Sequence, residues 1–145
     1  MLETFFHEGS VRPGFDKEFV SIFDGWLGQE NLHRLDEVTD DQFQRINEFM
    51  RLVHQHHRLM LADIDANTLL QIEDIDAILQ SHAESRDKQS SQFTKVVIPG
   101  LEAVFTEEWD YTWIVWHKNN GAVEALDPLI TNAGLFHWND AAGVT

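Results

Sequence analysis

Acidic and aromatic side chains are interleaved over residues 102–116, and together they could recognise positively charged groups. Carboxylates form ion pairs with lysine and arginine, and the flat face of an indole ring attracts the same cations. We therefore predict a partner-binding surface made of Glu102, Glu107, Glu108, Trp109 and Asp110. The alternative is that the tryptophans belong to the core and that the carboxylates lie in a solvated turn.

A histidine group at His54, His56 and His57 could bind a metal ion. On a helix, His54 and His57 are three residues apart and share a face, which suits a pair of metal ligands. A complete site also needs further ligands, and spacing does not place His82 or Asp63 beside them. We favour a hydrogen-bonded core histidine at position 57, and we predict neither a metal ion nor a cofactor.

Residues 63–74 resemble a calcium-binding EF-hand loop at the first, third and fifth positions of that loop. Thr68 stands where the EF-hand loop has a glycine for its turn, and Asp74 stands where it has the longer glutamate. Aspartate and asparagine also collect between helices because they cap helix ends. We therefore favour helix capping by these residues over calcium binding.

A second functional hypothesis is a small-molecule pocket between helices and sheet. Its lining would combine hydrogen-bonding and aromatic side chains, namely His54, His57, Trp113 and Trp116. Such a pocket would serve ligand binding, or acid–base catalysis by histidine. No phosphate-binding loop, dinucleotide fingerprint or serine-hydrolase motif is present in the sequence. A binding role is therefore favoured, and an enzymatic role is left open.

The composition indicates one acidic domain over residues 1–145, with 43% hydrophobic residues to fill its core. Ten lysines and arginines stand against 25 aspartates and glutamates, so the net charge is −15. This charge disfavours direct binding to nucleic acids and anionic membranes and attracts basic protein partners, although it could also serve solubility alone. Because cysteine and long apolar runs are missing and the first residues are acidic, we predict a cytoplasmic location.

Helical spacing of apolar residues dominates the first half of the chain, about residues 14–83. Helices are predicted over four ranges: residues 14–27, 31–38, 40–62 and 69–82. The strongest signal is a capping box at Thr39 and Gln42, which begins the third of these helices. From Phe43 onward, apolar residues alternate in steps of three and four, a pattern typical of a helix buried along one side.

Residues 84–92 contain almost no apolar side chain and are predicted to form an exposed linker. Strand-forming residues then predominate, and the predicted order is β-β-β-α-β over residues 93–98, 101–107, 111–118, 123–133 and 135–138. Pro128 lies inside the helical pattern and predicts a kink or a restart there. The predicted fold class is therefore α+β, with a helical N-terminal half packed with a small antiparallel sheet in about residues 93–138.

Charge and the acidic–aromatic segment together predict a small acidic binding protein that occupies a basic surface of a macromolecular partner. Inhibitors, antitoxins, immunity proteins and DNA mimics act in this way. Two alternatives stay open. One is the ligand pocket between helices and sheet, and the other is an obligate homodimer, a homo-oligomer whose tryptophan-rich strand forms the interface.

Overall fold

The computed structural model of the protein describes residues 2–86, 89, 93–108 and 111–139. Within them, the strands are β1 Phe6–His7, β2 Ser10–Val11, β3 Asp16–Ser21, β4 Met60–Asp63, β5 Thr68–Gln71, β6 Lys95–Ile98, β7 Ala103–Glu107, β8 Thr112–His117 and β9 Phe136–Trp138. The α-helices are α1 Leu2–Phe5, α2 Asp40–His56, α3 His82–Arg86 and α4 Asn120–Asn132. Short 3₁₀ helices span Gln29–Glu37, Ile75–Ala77 and Pro99–Leu101. No helix in this part of the chain has the length and apolar character needed to cross a bilayer.

A seven-stranded antiparallel sheet in the order β5-β4-β6-β7-β8-β3-β9 organises the molecule, and β1 and β2 form a separate hairpin. Strand β3 pairs with β8 along its whole length, with Asp16 directly opposite His117. Strand β9 pairs with residues 19–21 of β3 alone. Strands from both halves of the chain therefore alternate within one sheet.

The main hydrophobic core lies between one face of this sheet and the helices α2 and α4. Its sheet side includes Val20, Phe105 and Val115, and its helix side includes Val53 and Leu126, all at most 2% exposed. Burying each such side chain stabilises the fold by roughly 1.5–3 kcal/mol. A second, smaller core covers part of the opposite face, and it contains Leu2, Phe5, Phe6, Met60, Val97 and Val104.

An aromatic cluster holds the short strand β9 against β3. The ring of Phe19 stacks on Trp138 with the ring centroids 6.1 Å apart, and Trp26 contacts both rings edge-on at 4.6 and 5.2 Å. These contacts fix β9 although it has only three residues. The side chains of His137 and Asn139 are thereby placed beside β3.

The predicted fold class is wrong, because the N-terminal half is not helical and contributes three strands to the large sheet. Strand β3 lies where a helix was predicted over residues 14–27. Glu18, Phe19, Val20 and Ser21 are all buried, since β3 is covered on both faces. A strand buried on both faces loses the apolar–polar alternation by which a half-buried strand is recognised.

The helix predicted over residues 69–82 is also wrong, because residues 69–71 belong to β5 and a short 3₁₀ helix, Ile75–Ala77, follows. Strand β5 forms a hairpin with β4, and the turn of this hairpin is closed by the Asp63 carboxylate, which accepts from the backbone nitrogen of Ala66 at 3.0 Å. Asn67 adopts the left-handed conformation that this turn requires, with φ of 54°. Helix α2 ends at His56, earlier than predicted, because His57 is extended and leads into β4.

The start of α2 is confirmed. The hydroxyl of Thr39 accepts from the backbone nitrogen of Gln42 at 3.2 Å, and the Gln42 side-chain oxygen accepts from the backbone nitrogen of Thr39 at 2.9 Å. This pair satisfies two helix-end donors.

In the C-terminal half, β6, β7, β8, α4 and β9 lie in the predicted order, although their sheet is larger than expected. Helix α4 continues through Pro128, so the predicted restart does not occur. The linker predicted over residues 84–92 overlaps the end of α3, and residues 87, 88 and 90–92 lie outside the described residues.

Candidate functional site

An open cleft of about 1060 Å³ lies between β3, the end of β8 and α4. Residues 15–19 form one of its walls. Strand β9 pairs only with residues 19–21 of β3, so the outer edge of the earlier part faces the cleft, where Asp16 and Lys17 are exposed and Glu18 is buried. The lining consists of Phe15, Asp16, Lys17, Glu18, Phe19, His117, Asn120, Val123, Glu124, Asp127 and Asn139.

Helix and strand periodicity bring the polar side chains of the cleft together. On α4, Asp127 lies three residues after Glu124 and four residues after Val123, so all three side chains point to the same side of the helix. On β3, Asp16 and Glu18 are two residues apart and therefore point to the same side of the sheet. The side chain of His117 lies on this side as well, directly opposite Asp16.

The cleft carries a net negative charge. Its lining includes four carboxylates, Asp16, Glu18, Glu124 and Asp127, and one ammonium group, that of Lys17. The Lys17 ammonium lies over the ring of Trp116, 4.9 Å from its centroid, on the other side of the sheet. The cleft is therefore suited to cationic groups.

His137 links a buried carboxylate of β3 to a carboxylate of α4. Its Nδ1 lies 2.5 Å from Oε2 of Glu18, and its Nε2 lies 2.6 Å from Oδ1 of Asp127. The second oxygen of Glu18 accepts from the Asn139 side-chain amide at 3.0 Å. Both oxygens of Glu18, a residue that is only 4% exposed, thus have partners.

The charge state of His137 follows from these contacts. Partial burial acts to lower the pKa of its imidazole, but the hydrogen bonds and negative charges of Glu18 and Asp127 outweigh burial and raise the pKa above its ordinary value. The protonated ring can donate to both carboxylates. Because the folded-state pKa is the higher one, this stabilisation is complete below the ordinary value of about 6.5. It is lost as pH rises through the folded-state pKa.

We expect His137→Gln to lower the free energy of unfolding by about 2 kcal/mol at pH 6. The difference from the wild type should shrink as the pH is raised from 6 to alkaline values, because the wild-type ring becomes neutral as the pH passes through its folded-state pKa. Chemical denaturation across this pH range measures both effects. His33→Gln, at an exposed position of the first 3₁₀ helix, is the control and should change neither stability nor its pH dependence. Parallel pH profiles for wild type and His137→Gln would contradict the charged bridge.

His117 presents a hydrogen-bond acceptor to the cleft. The residue is 4% exposed and lines the cleft. Its Nδ1 lies 3.0 Å from the backbone oxygen of Asn119, so we assign the proton to Nδ1 and leave a lone pair on Nε2. Within the part of the chain that the structure describes, no group hydrogen-bonds to Nε2. The nearly buried ring is thus ready to accept from a bound donor.

Of the predicted partner-binding surface, the structure describes Glu102, Glu107 and Glu108, and Glu102 lies apart from the other two. Glu102 is exposed in a left-handed turn before β7, with φ of 49°, whereas Glu107 and Glu108 lie at the far end of that strand. The five-residue strand separates them by roughly 16 Å. Trp109 and Asp110 lie outside the described residues.

Glu107 is part of the interior. It is 4% exposed, its Oε1 accepts from the backbone nitrogen of Thr94 at 2.9 Å, and its Oε2 accepts from the Gln80 side-chain amide at 2.7 Å. These bonds join β7 to the segments that precede α3 and β6. The carboxylate of Glu107 therefore stabilises the fold.

The two tryptophans of the predicted ligand pocket lie on opposite faces of the sheet. Trp113 stacks on Phe105 in the main core, with the ring centroids 4.5 Å apart. Trp116 packs against the second core, and its indole nitrogen donates to the hydroxyl of Thr106 at 2.9 Å. The two tryptophans are three positions apart on β8, an odd number, so their side chains point to opposite sides of the sheet and cannot line one pocket.

The histidines of that predicted pocket have local roles. His54 Nε2 lies 3.0 Å from the backbone oxygen of Ile72 and so ties α2 to the segment after β5. Burial, and to a smaller extent the charge of His56, lowers the pKa of His57 at the end of α2. Neither histidine lines the cleft between β3 and α4.

Within the described residues, no group of three or more histidine, aspartate and glutamate side chains is placed to hold a metal ion. Residues 63–74, which resemble an EF-hand loop in sequence, contain the β4–β5 turn and the whole of β5. In that turn the Asp63 carboxylate caps a backbone nitrogen. The segment therefore lacks the helix–loop–helix setting of an EF-hand.

The cleft residues were missed from sequence. The pair Glu124 and Asp127, three residues apart on a predicted helix, was a detectable sign of an acidic helix face. The shared direction of Asp16 and Glu18 is not apparent from sequence, because the pattern over residues 14–27 predicts a helix, on which residues two apart point in different directions. Nothing in the sequence pattern indicated that His137 would bridge β3 and α4.

Comparison of the chain with protein-family models, with curated proteins and with solved structures found no match. The chemistry of the cleft therefore carries the functional assignment.

Proposed function

We propose that this chain is a small acidic binding protein of the cytoplasm that occupies a positively charged surface of a partner protein. The observation that carries the proposal is the charge of the cleft, where four carboxylates stand against one ammonium group. The same sign prevails over the whole chain, whose net charge is −15. Opposite charge speeds the encounter of two proteins and fixes their orientation.

The geometry of the cleft supports this role in two ways. Asp16 and Glu124 are exposed on its two walls and can pair with cations without reorganising the core. Glu18, in contrast, is buried, and its ion pair with protonated His137 offsets much of its charge, so it fixes the floor of the cleft behind them. Charges inside a concave site interact more strongly with a ligand than charges on an open surface.

The alternatives have less support. A ligand pocket lined by Trp113 and Trp116 conflicts with their positions on opposite faces of the sheet. A homodimer would bring together two chains of charge −15, and their repulsion opposes association.

The proposal can be tested with a fluorescent peptide that carries both arginine and lysine, whose binding is followed by anisotropy. The cleft variant Asp16→Asn/Glu124→Gln removes two negative charges from opposite walls. We expect it to weaken peptide binding about fivefold at low salt, because each exposed ion pair contributes up to about 1 kcal/mol. Screening at about 0.15 M salt should reduce the difference.

The matched control is Glu30→Gln/Asp36→Asn on the exposed first 3₁₀ helix, which makes the same chemical changes and removes the same charge. We expect it to weaken binding less than about twofold. Equal losses in the two variants would mean that net charge, and not the cleft, attracts the peptide. Absence of salt-dependent binding by the wild type would overturn the proposed function itself.

A further inference from the structure

We infer that the cleft selects arginine over lysine, with Nε2 of His117 accepting a hydrogen bond from the guanidinium group of the bound side chain. This inference rests on the proposed function and adds to it the chemical class of the group recognised. It concerns His117, whose ring lies among the carboxylates of the cleft and is almost completely buried.

The first argument is the state of His117. Its ring is 4% exposed, its Nδ1 proton is directed at the backbone oxygen of Asn119, and no described residue donates to its Nε2. His117 Nε2 is not among the described buried atoms that lack a partner, so it is accessible from the cleft and can accept a hydrogen bond from a bound donor in place of water. A cation with N–H groups fits this nitrogen and the neighbouring carboxylates at the same time.

The second argument is the number and placement of acceptors. One carboxylate oxygen of Asp127 is hydrogen-bonded to His137. The other oxygen of Asp127, and the carboxylates of Asp16 and Glu124, form no hydrogen bond or ion pair with a described residue. With His117 Nε2, the cleft offers acceptors on three sides: the strand, the helix and the end of β8. An ammonium group has three donors at one point, whereas a guanidinium group spreads five donors over a planar fork. The wider fork can reach more of these acceptors at once.

The third argument is hydration. A guanidinium group is more weakly hydrated than an ammonium group, so it loses less on entering a cleft where part of the wall is buried. Glu18 and His117, both 4% exposed, form the buried part of the lining together with Phe19, which is 7% exposed. The cost of removing water from a lysine ammonium is higher in such a place.

The experiment compares tetra-arginine and tetra-lysine peptides, each with the same fluorophore, on the intact protein. We expect the arginine peptide to bind about tenfold more tightly, as one hydrogen bond to a charged group predicts. His117→Phe should remove this preference by weakening arginine binding about tenfold. The salt dependence should persist, because the substitution leaves the four carboxylates of the cleft in place. His117→Gln, whose amide can donate to Asn119 and accept from the ligand, should restore part of the preference.

The possible outcomes distinguish failure of the arginine inference from failure of the proposed function. Salt-dependent binding that is equal for both peptides and insensitive to His117→Phe would overturn the arginine inference and leave the proposed function standing. A lack of salt-dependent binding to either peptide would overturn the proposed function. If His117→Phe does not fold, the arginine inference is tested by the ring ¹⁵N chemical shifts of His117 in the wild-type protein. A shift of Nε2 on adding tetra-arginine but not tetra-lysine supports the inference, and equal shifts or none contradict it.

Discussion

Val53→Asp is expected to lower the free energy of unfolding by at least about 3 kcal/mol. Val53 is 2% exposed and lies on the side of α2 that packs against the sheet, in the same core as Ile46 and Phe49. An aspartate there would bury a charge among apolar side chains and would also remove two methyl groups from a packed site. Chemical denaturation at neutral pH measures the loss, and thermal melting should show it as a large fall in Tm.

The control for this substitution is Gln55→Asp, two residues further along α2 at an exposed position. It adds the same charge to the same helix without entering the core, and its effect should stay within about 0.5 kcal/mol. Unchanged stability of Val53→Asp would mean that this side of α2 does not face the core.

Glu107→Lys is expected to lower the free energy of unfolding by about 3–5 kcal/mol. The carboxylate of Glu107 accepts hydrogen bonds from Thr94 and Gln80 inside the protein. A lysine would place an ammonium group against these donors, with a backbone nitrogen left unsatisfied. The loss is measured by chemical denaturation.

Glu102→Lys is the matched control, because it makes the same change at the exposed turn before β7. Its stability should equal that of the wild type within about 0.5 kcal/mol. A stable Glu107→Lys variant would show that the end of β7 is more open than the structure indicates. Weakened peptide binding by Glu102→Lys would extend the binding surface to this turn.

Local sequence patterns are sufficient to predict some of the secondary-structure elements. The capping box at Thr39 and Gln42 predicts the start of α2 because both partners lie within three residues of each other. The large apolar side chains on both sides of residues 111–118 indicate a strand that other elements cover on both faces. Trp113 and Trp116 are found on those two faces.

Other elements depend on contacts that a local pattern does not contain. Residues 14–27 resemble an amphipathic helix in sequence because apolar residues before, within and after β3 fall at helical spacing by coincidence. Only its pairing with β8 and β9, far along the chain, determines its conformation. The same holds for β4, which is held in the sheet by β6 as well as by its hairpin partner β5.

The candidate site was not predictable for the same reason. His137 and Glu18, whose hydrogen bond ties the floor of the cleft together, are separated by 119 positions. His117 enters the cleft through the register of β8 on β3, which sequence spacing cannot supply. The acidic composition predicted the charge of a binding surface, and the fold determined its place.

The most direct test of the cleft as the binding site is a titration of the ¹⁵N-labelled protein with tetra-arginine peptide, followed by amide chemical shifts. Binding in the cleft predicts that the largest shifts fall on residues 15–19, on His117 and on residues 120–127. The amides of Glu30, Asp36 and Glu102 should change little, although these side chains are equally acidic and exposed. Shifts spread evenly over the acidic surface, or concentrated away from the cleft, would contradict this assignment.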